Sequence, residues 1–272
     1  MNDFPWTLFF VLLAASVVGG AAVLPYALAF SKNSLTAEAQ AKMKLPKPVI
    51  YLISVVQTGV LMAVASFLGL LAARQVGLRM PILEAALAGQ PVGNALLQIL
   101  PVTMLAAVLI AILMFFLERK VFMAHLPPEL STLDVRTSLW KRMLACLYGG
   151  FDEEVLTRLF LVSGFAWLLG LVWKSPTGTP ANGAFWLAIL LAALLFGAGH
   201  LPATKAVTKL TPMIVTRALL LNGIPGLVFG YLFWQYGLET AMVAHFFLDI
   251  YIHLLYTPAT RPHEQNPSLQ TS

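Results

Sequence analysis

The chain has 272 residues, of which 59% are hydrophobic and only 11% are charged, and its formal net charge is +5. Soluble domains carry about 25% charged residues, so this chain lacks the polar side chains needed to cover a water-facing surface. The composition excludes an ordinary soluble protein and favours a membrane protein. The basic residues lie in short loops between apolar runs, which argues against a nucleic-acid partner. A single cysteine, Cys146, excludes an intrachain disulfide.

Apolar stretches long enough to cross a bilayer recur along the chain. A hydrocarbon core of about 30 Å needs about 20 apolar residues as a helix. The stretches predict an all-α, polytopic transmembrane helical bundle of about seven spans, folded as a single membrane domain. In chain order they cover residues 4–30, 48–72, 94–117, 144–173, 183–200, 213–236 and 239–257. The first stretch follows no basic segment, so we expect a retained span rather than a cleaved signal peptide.

Two further segments have polar patterns. Residues 127–143 read as an amphipathic helix at the membrane interface, with Ser131 or Thr132 as its N-cap. Residues 258–272 are polar and contain proline, so we expect a flexible tail.

The loops differ in their content of lysine and arginine. Most of these residues fall in loops 31–47, 118–143 and 201–217, whereas the alternate loops hold only Arg74, Arg79 and Lys174. Because basic loops stay on the cytoplasmic side, we expect the N-terminus outside and the C-terminus inside. We expect this membrane to be the bacterial cytoplasmic membrane. The orientation of the C-terminus depends on an odd number of spans.

Three acids interrupt the fourth span, in GGFDEEVLTRLFLVSG (residues 149–164). Glu154 and Arg158 are four residues apart, so they share a helix face and can neutralise each other. Glu153 lies about 100° around the helix and has no basic partner in its own segment. An unpaired carboxylate suits a group that accepts and releases a proton. Asp152 is expected at the helix start, as a cap or a water-facing acid.

Two histidines in later spans belong to short polar motifs. His200 ends the fifth span in FGAGH, where Gly197 and Gly199 permit close helix approach. His245 and Asp249, in HFFLD, project from one face of the last span. Charged groups deep in a bilayer cost several kcal/mol each and almost always face the bundle interior. We therefore expect one polar cavity formed by Glu153, Glu154, Arg158, His200, His245 and Asp249.

The chemistry suggested by this set is hydrolysis at membrane depth. A carboxylate beside an imidazole activates water, and a second imidazole can stabilise an oxyanion. Two histidines with acids can equally hold a divalent metal such as zinc with an open position. If a metal is present, its expected ligands are His200, His245 and Asp249. The residues alone leave the choice open, and no other cofactor is implied.

The order of these residues matches a family pattern. EEVLTR fits E-E-x-x-x-R, FGAGH fits F-x-x-x-H, and HFFLD fits H-x-x-x-(N/D), all on apolar spans. The chain thereby resembles the CAAX protease and bacteriocin-processing (CPBP, or Abi) family of intramembrane endopeptidases, which includes the type II CAAX prenyl endopeptidases. The resemblance implies a catalytic core at residues 140–257, while residues 1–120 supply three spans without a motif.

The resemblance also implies residue roles. Glu153 would be the catalytic glutamate that activates water together with His200, and Glu154 and Arg158 would support the site. His245 would form an oxyanion hole with the residue at position 249. Prenyl endopeptidases have Asn there, and an ionised Asp249 cannot donate a hydrogen bond. Asp249 would instead fix the His245 tautomer, be protonated, or bind a metal.

The implied function is an intramembrane endopeptidase whose partners are membrane lipid and a peptide or protein substrate, lipidated substrates included. One alternative is a non-proteolytic membrane immunity or scaffold protein of the same family fold. Another is a proton-coupled transporter that uses the buried acids, although the sequence shows no paired-repeat pattern.

Overall fold

The computed structural model describes residues 4–34, 45–127 and 138–256. Within these ranges the chain is helical, and the only β-type pairing is an isolated bridge between Lys174 and Pro180. The predicted all-α bundle is therefore confirmed. Its α-helices are α1 Trp6–Ser34, α2 Lys47–Val76, α3 Pro81–Leu87, α4 Gly93–Leu117, α5 Leu139–Tyr148, α6 Ser163–Gly170, α7 Asn182–Gly199, α8 Leu201–Val207, α9 Pro212–Tyr236 and α10 Leu238–Ile250.

Wider π-helical turns extend or connect several of these helices. They comprise Glu118–Phe122 after α4, Gly149–Glu153 and Val155–Val162 between α5 and α6, and Tyr251–Tyr256 after α10. π-Helical turns are rare and often mark functional sites. Those between α5 and α6 carry Asp152, Glu153 and Arg158, and Glu154 lies between the two turns.

Five helices are long and apolar enough to cross a membrane, which makes the chain an integral, multi-pass membrane protein. They are Trp6–Ala29, Lys47–Val76, Gly93–His125, Asn182–Val207 and Pro212–Tyr236. The other two predicted spans are also helical, but each combines short α-helices with π-helical turns. A full crossing by these two spans remains a prediction, and so does the orientation of the termini.

The helix carrying the acids begins earlier than the sequence predicted. The sequence predicted Asp152 at the helix start and a separate interfacial helix at residues 127–143. Instead the chain winds without a break from Leu139 to Gly170, so α5 leads directly into the acidic π-helical turns. Gly149 and Gly150 lie in this helix. Because they have no side chains, α10 approaches the helix closely at these two residues. Residues 128–137 and the tail lie outside the described residues.

Small residues hold the C-terminal helices together. A Cβ atom on Gly226 would approach Ala193 of α7, and one on Gly230 would overlap Ile189. Such close backbone contact stabilises helix pairs in membranes. Next to this pair, α10 contacts α9, α4 and the turn Gly149–Glu153, and its inner face is fully buried. α10 therefore carries its polar residues into the bundle interior.

The α9–α10 turn docks on the start of α3. Gly237 has φ 102°, a conformation that side chains rarely adopt, and a Cβ there would lie 2.5 Å from Pro81 Cδ. Leu238 N donates to Arg79 O at 3.2 Å. Leu83 N donates to Glu239 Oε1 at 2.6 Å, which satisfies one free amide of the α3 N-terminus.

Gly237→Ala is expected to lower the thermal unfolding midpoint more than Gly89→Ala does. Both residues have positive φ, so each substitution costs about 1–2 kcal/mol of backbone strain. Only Gly237 adds an overlap with Pro81, because nothing lies within 4 Å of a Cβ at Gly89. Thermal unfolding of the purified variants in detergent measures the difference. Equal midpoints would show that the docked turn does not contribute to stability.

Candidate active site

The buried centre of the site is a carboxylate shared by two basic groups. Glu154 Oε1 lies 2.6 Å from His245 Nδ1 and 2.9 Å from Arg158 Nη1, and all three residues are buried. The Glu154–Arg158 pair has the i, i+4 geometry that the sequence predicted. A carboxylate accepts hydrogen bonds, so His245 Nδ1 carries the proton and Nε2 faces the other way.

Two further carboxylates face His245 Nε2. Glu153 Oε2 lies 3.8 Å away and Asp249 Oδ1 lies 3.7 Å away, both beyond hydrogen-bond distance. The Glu153 side chain is 26% exposed, whereas that of Asp249 is 14% and that of His245 is 7% exposed. Glu153 is thus the most accessible of these groups. The hydrogen bond that fixes the His245 tautomer comes from Glu154 rather than from Asp249.

A glycine leaves space for this arrangement. A Cβ atom on Gly149 would overlap Asp249 Oδ2 and would lie 3.4 Å from His245 Nε2. A Cβ on Gly150 would approach Phe246 at 2.9 Å. The two glycines therefore let the acidic π-helical turn lie directly against α10.

Aromatic rings surround the charged centre. The Arg158 guanidinium carbon lies 5.2 Å from the Phe196 ring centre and 5.3 Å from that of Phe229, within cation–π range. Arg158 also donates to Thr157 Oγ1 and, at 3.4 Å, to Gly226 O. Thr157 Oγ1 in turn donates to Glu153 O at 2.5 Å. These hydrogen bonds therefore link Arg158, through the Thr157 hydroxyl, to the backbone carbonyl of Glu153.

His200 lies at the end of α7, beside this centre. Its Nδ1 lies 2.8 Å from Phe196 O, and because a carbonyl only accepts, Nδ1 carries the proton. The Phe196 ring packs edge-on against both His200 and His245, at 4.8 and 6.1 Å between ring centres. In the described parts of the chain, no hydrogen bond or ion pair joins His200 to Glu153 or His245. The Phe196 ring therefore lies between His200 and His245 and contacts both imidazoles.

A comparison with known families bears on this geometry. Residues 135–251 match a family model described as type II CAAX prenyl endopeptidase Rce1-like. This region is Rce1-like. It contains all three motifs, so the predicted resemblance to the CAAX protease (CPBP, Abi) family is confirmed. The family indicates a membrane-embedded protease of the CAAX-protease type. Neither the curated proteins nor the solved structures include a significant match to the chain.

Within the Rce1-like region, Asp152 does not lie where the sequence predicted. It is fully buried rather than water-facing, and it is well inside a helix that begins at Leu139. Neither carboxylate oxygen has a hydrogen-bond partner, and the group packs against Gly19 of α1. The prediction failed because the helix start was misplaced. The Gly19–Gly20 pair in the first span was the available signal for a close contact.

Sequence reasoning also missed residues of the Rce1-like region. The contact between Glu154 and His245 joins residues 91 positions apart, which no local spacing predicts. Phe229 and Thr157 were not singled out, because each is unremarkable within an apolar span. Gly149, three residues before the first acid, carried a usable signal, since a glycine pair near charged residues indicates close backbone approach.

The residues present do not assemble into a metal site. Among the side chains that the structure describes, no group of three or more His, Cys, Asp or Glu residues is placed to hold a metal ion. Among these described residues, the possible ligand set of His200, His245 and Asp249 is therefore not formed.

Gly149→Ala is expected to lower activity about 100-fold with a smaller effect on folding. The added methyl group displaces Asp249 from its position beside His245, and a misplacement of about 1 Å can lower a rate about 100-fold. Gly164→Ala, on α6 of the same continuous helix, is the matched control because nothing lies within 4 Å of its Cβ. Turnover and thermal midpoint of both variants are measured. Full activity in Gly149→Ala would contradict the described contact.

Proposed function

We propose that this protein is an intramembrane endopeptidase in which Glu153 and His200 activate the water that attacks a peptide carbonyl. One observation carries the proposal. The accessible carboxylate of Glu153 lies 3.8 Å from Nε2 of a buried histidine whose other nitrogen is fixed by Glu154. An acid and an oriented imidazole at one point inside a membrane bundle are the groups that hydrolysis requires.

Glu153 acts first as a general base. It takes a proton from the attacking water and later delivers that proton to the leaving amine. His200 assists as a second acceptor, because the Phe196 carbonyl holds its Nδ1 proton and leaves Nε2 with a lone pair in the neutral ring. Both side chains are partly exposed, so neither is closed off by the protein.

His245 stabilises the oxyanion of the tetrahedral intermediate. Its Nε2 donates a hydrogen bond when the ring carries its second proton, and the Asp249 carboxylate at 3.7 Å balances that charge. Glu154 orients the ring, and Arg158 neutralises Glu154. In this assignment Asp249 acts on His245 electrostatically and does not itself donate to the oxyanion.

The rest of the chain supports this site. Residues 140–257 form the proposed catalytic core, and the three spans of residues 1–120 form a wall around it, with α1 and α2 contacting the acidic helix. The proposed substrate is a peptide or protein segment reached at the membrane, with lipidated substrates included. The proposed setting is a bacterial cytoplasmic membrane, with the N-terminus outside and the C-terminus inside.

A peptide library offered to the purified protein in detergent tests the function. Mass spectrometry identifies newly formed termini, and a chelator is included in a parallel reaction. His200→Ala is expected to abolish cleavage. His125→Ala is the matched control, because exposed His125 makes the same type of bond to a carbonyl four residues earlier, at 3.0 Å. Equal cleavage by the two variants would remove His200 from the mechanism, and no cleavage by the wild type would contradict the function.

A further inference from the structure

Phe229 lies on α9, outside all three sequence motifs, and is fully buried. Its ring stacks on the His245 imidazole with 4.9 Å between ring centres and 28° between planes. The Arg158 guanidinium lies 5.3 Å from the centre of the same ring. One phenyl ring therefore contacts both of the groups that bind Glu154.

The stacking supplies a restraint that hydrogen bonding does not. His245 is held at Nδ1 by a single hydrogen bond to Glu154, and the last side-chain torsion of histidine is broadly distributed. A single bond at Nδ1 fixes one point of the ring but lets Nε2 swing about it. A flat ring packed against the imidazole face removes that freedom and fixes the direction of Nε2.

Phe229 is itself held rigidly. Gly226 and Gly230, on either side of it, let α9 lie against Ala193 and Ile189 of α7. Gly226 O also accepts a hydrogen bond from Arg158 Nη2. Displacement of the α9 backbone that carries Phe229 would require the α7–α9 contact to separate. α7 carries Phe196, the second ring over Arg158. The packing of α7 against α9 therefore fixes the positions of both rings that contact the guanidinium.

We propose that Phe229 is a positioning residue, which directs His245 Nε2 toward Glu153 and keeps Arg158 on Glu154. The kinetic part of this inference rests on the function proposed above. Phe229 does not touch the reacting atoms in this account. It acts through the imidazole that it covers, so its removal lowers kcat while substrate binding is retained.

Kinetics on the best library peptide test the role. Phe229→Leu and Phe229→Met remove the ring, and Met fills most of the space with a flexible chain. Both are expected to lower kcat about 10- to 100-fold with little change in KM, as a misplaced catalytic group does. Phe229→Tyr keeps the ring and is expected to restore most of kcat.

Phe233→Leu is the matched control. Phe233 lies one turn further along α9 and is also buried in the core, yet no ring stacking or cation–π contact links it to His245 or Arg158 among the described residues. We expect Phe233→Leu to lose about as much stability as Phe229→Leu, while its kcat stays within about twofold of wild type. The reason is that a small structural adjustment away from the site leaves the geometry of the site intact. Equal kcat losses in the Leu variants of Phe229 and Phe233 would overturn the proposal.

A spectroscopic measurement separates this proposal from the proposed function. Nitrogen-15 relaxation measurements on histidine-labelled protein report the motion of each ring nitrogen, and His245→Gln assigns the His245 signals. Wild type and Phe233→Leu are expected to show a rigid His245 ring, whereas Phe229→Leu, or Phe229→Met if Leu does not fold, shows exchange broadening at Nε2. An unchanged His245 signal in the Phe229 variants would overturn the positioning role, whether or not peptide cleavage is ever detected.

Discussion

Glu153→Gln is expected to lower kcat by about 10²- to 10⁴-fold, the contribution typical of a general base. The substitution keeps the size and polarity of the side chain but removes its ability to accept a proton from water. Because the side chain is 26% exposed and makes no ion pair shorter than its 3.8 Å contact to His245, folding should be little changed. Initial rates on a cleaved library peptide, together with a thermal midpoint, measure both effects.

Asp152→Asn is the matched control for this change. It makes the same acid-to-amide substitution at the preceding residue, whose buried side chain packs against Gly19 of α1 rather than facing His245. We expect a near wild-type kcat. The thermal midpoint is expected to be equal or higher, because an amide at this buried position cannot become an unpaired charge. If the variants at 152 and 153 lost activity equally, Glu153 would not be the base.

Arg158→Met is expected to destabilise the protein by about 3–5 kcal/mol, the usual effect of removing one partner of a buried ion pair. The substitution leaves Glu154 fully buried without its guanidinium partner, 2.9 Å away in the wild type. It also removes the cation held between Phe196 and Phe229. Denaturant unfolding in detergent or lipid measures the loss, and expression is expected to fall with it.

Two comparisons isolate this effect. Arg79→Met breaks the Arg79–Glu84 pair, in which the Arg79 side chain is 70% exposed, and is expected to have less than about 1 kcal/mol of effect. The double variant Glu154→Gln, Arg158→Met removes both buried charges and is expected to recover part of the stability. Similar losses in the two arginine variants, or a double variant less stable than Arg158→Met, would show that the buried pair is not the cause.

The membrane class and the helices were predictable because the length and apolarity of a span are local properties. The predicted span at residues 213–236 lies within one residue of α9, and that at 183–200 within one residue of α7. The Glu154–Arg158 pair was predictable for the same reason, since residues four apart share a helix face. Intramembrane charge also indicated one polar region, and five of the six ionisable residues lie close together: Glu153, Glu154, Arg158, His245 and Asp249.

Details that depend on packing between distant segments were not predictable. The π-helical turn Gly149–Glu153 lies where Gly149 and Gly150 meet α10, and a periodicity analysis assumes a regular α-helix. Glu154 was assigned to Arg158 alone, although it also orients His245, because its neighbours across the bundle are invisible in the sequence. The proximity of His245 to Glu153 was missed for a similar reason, since the two residues lie on different spans.

A structure of the protein in lipid with a bound peptide phosphonate, which mimics the tetrahedral intermediate, tests the central claim most directly. That claim is that Glu153, His200 and His245 surround one reaction centre inside the bundle. We predict phosphonate oxygens within hydrogen-bond distance, about 3 Å, of the Glu153 carboxylate and of Nε2 of both histidines. A phosphonate bound elsewhere, or a Glu153 carboxylate directed away from it, would contradict the account.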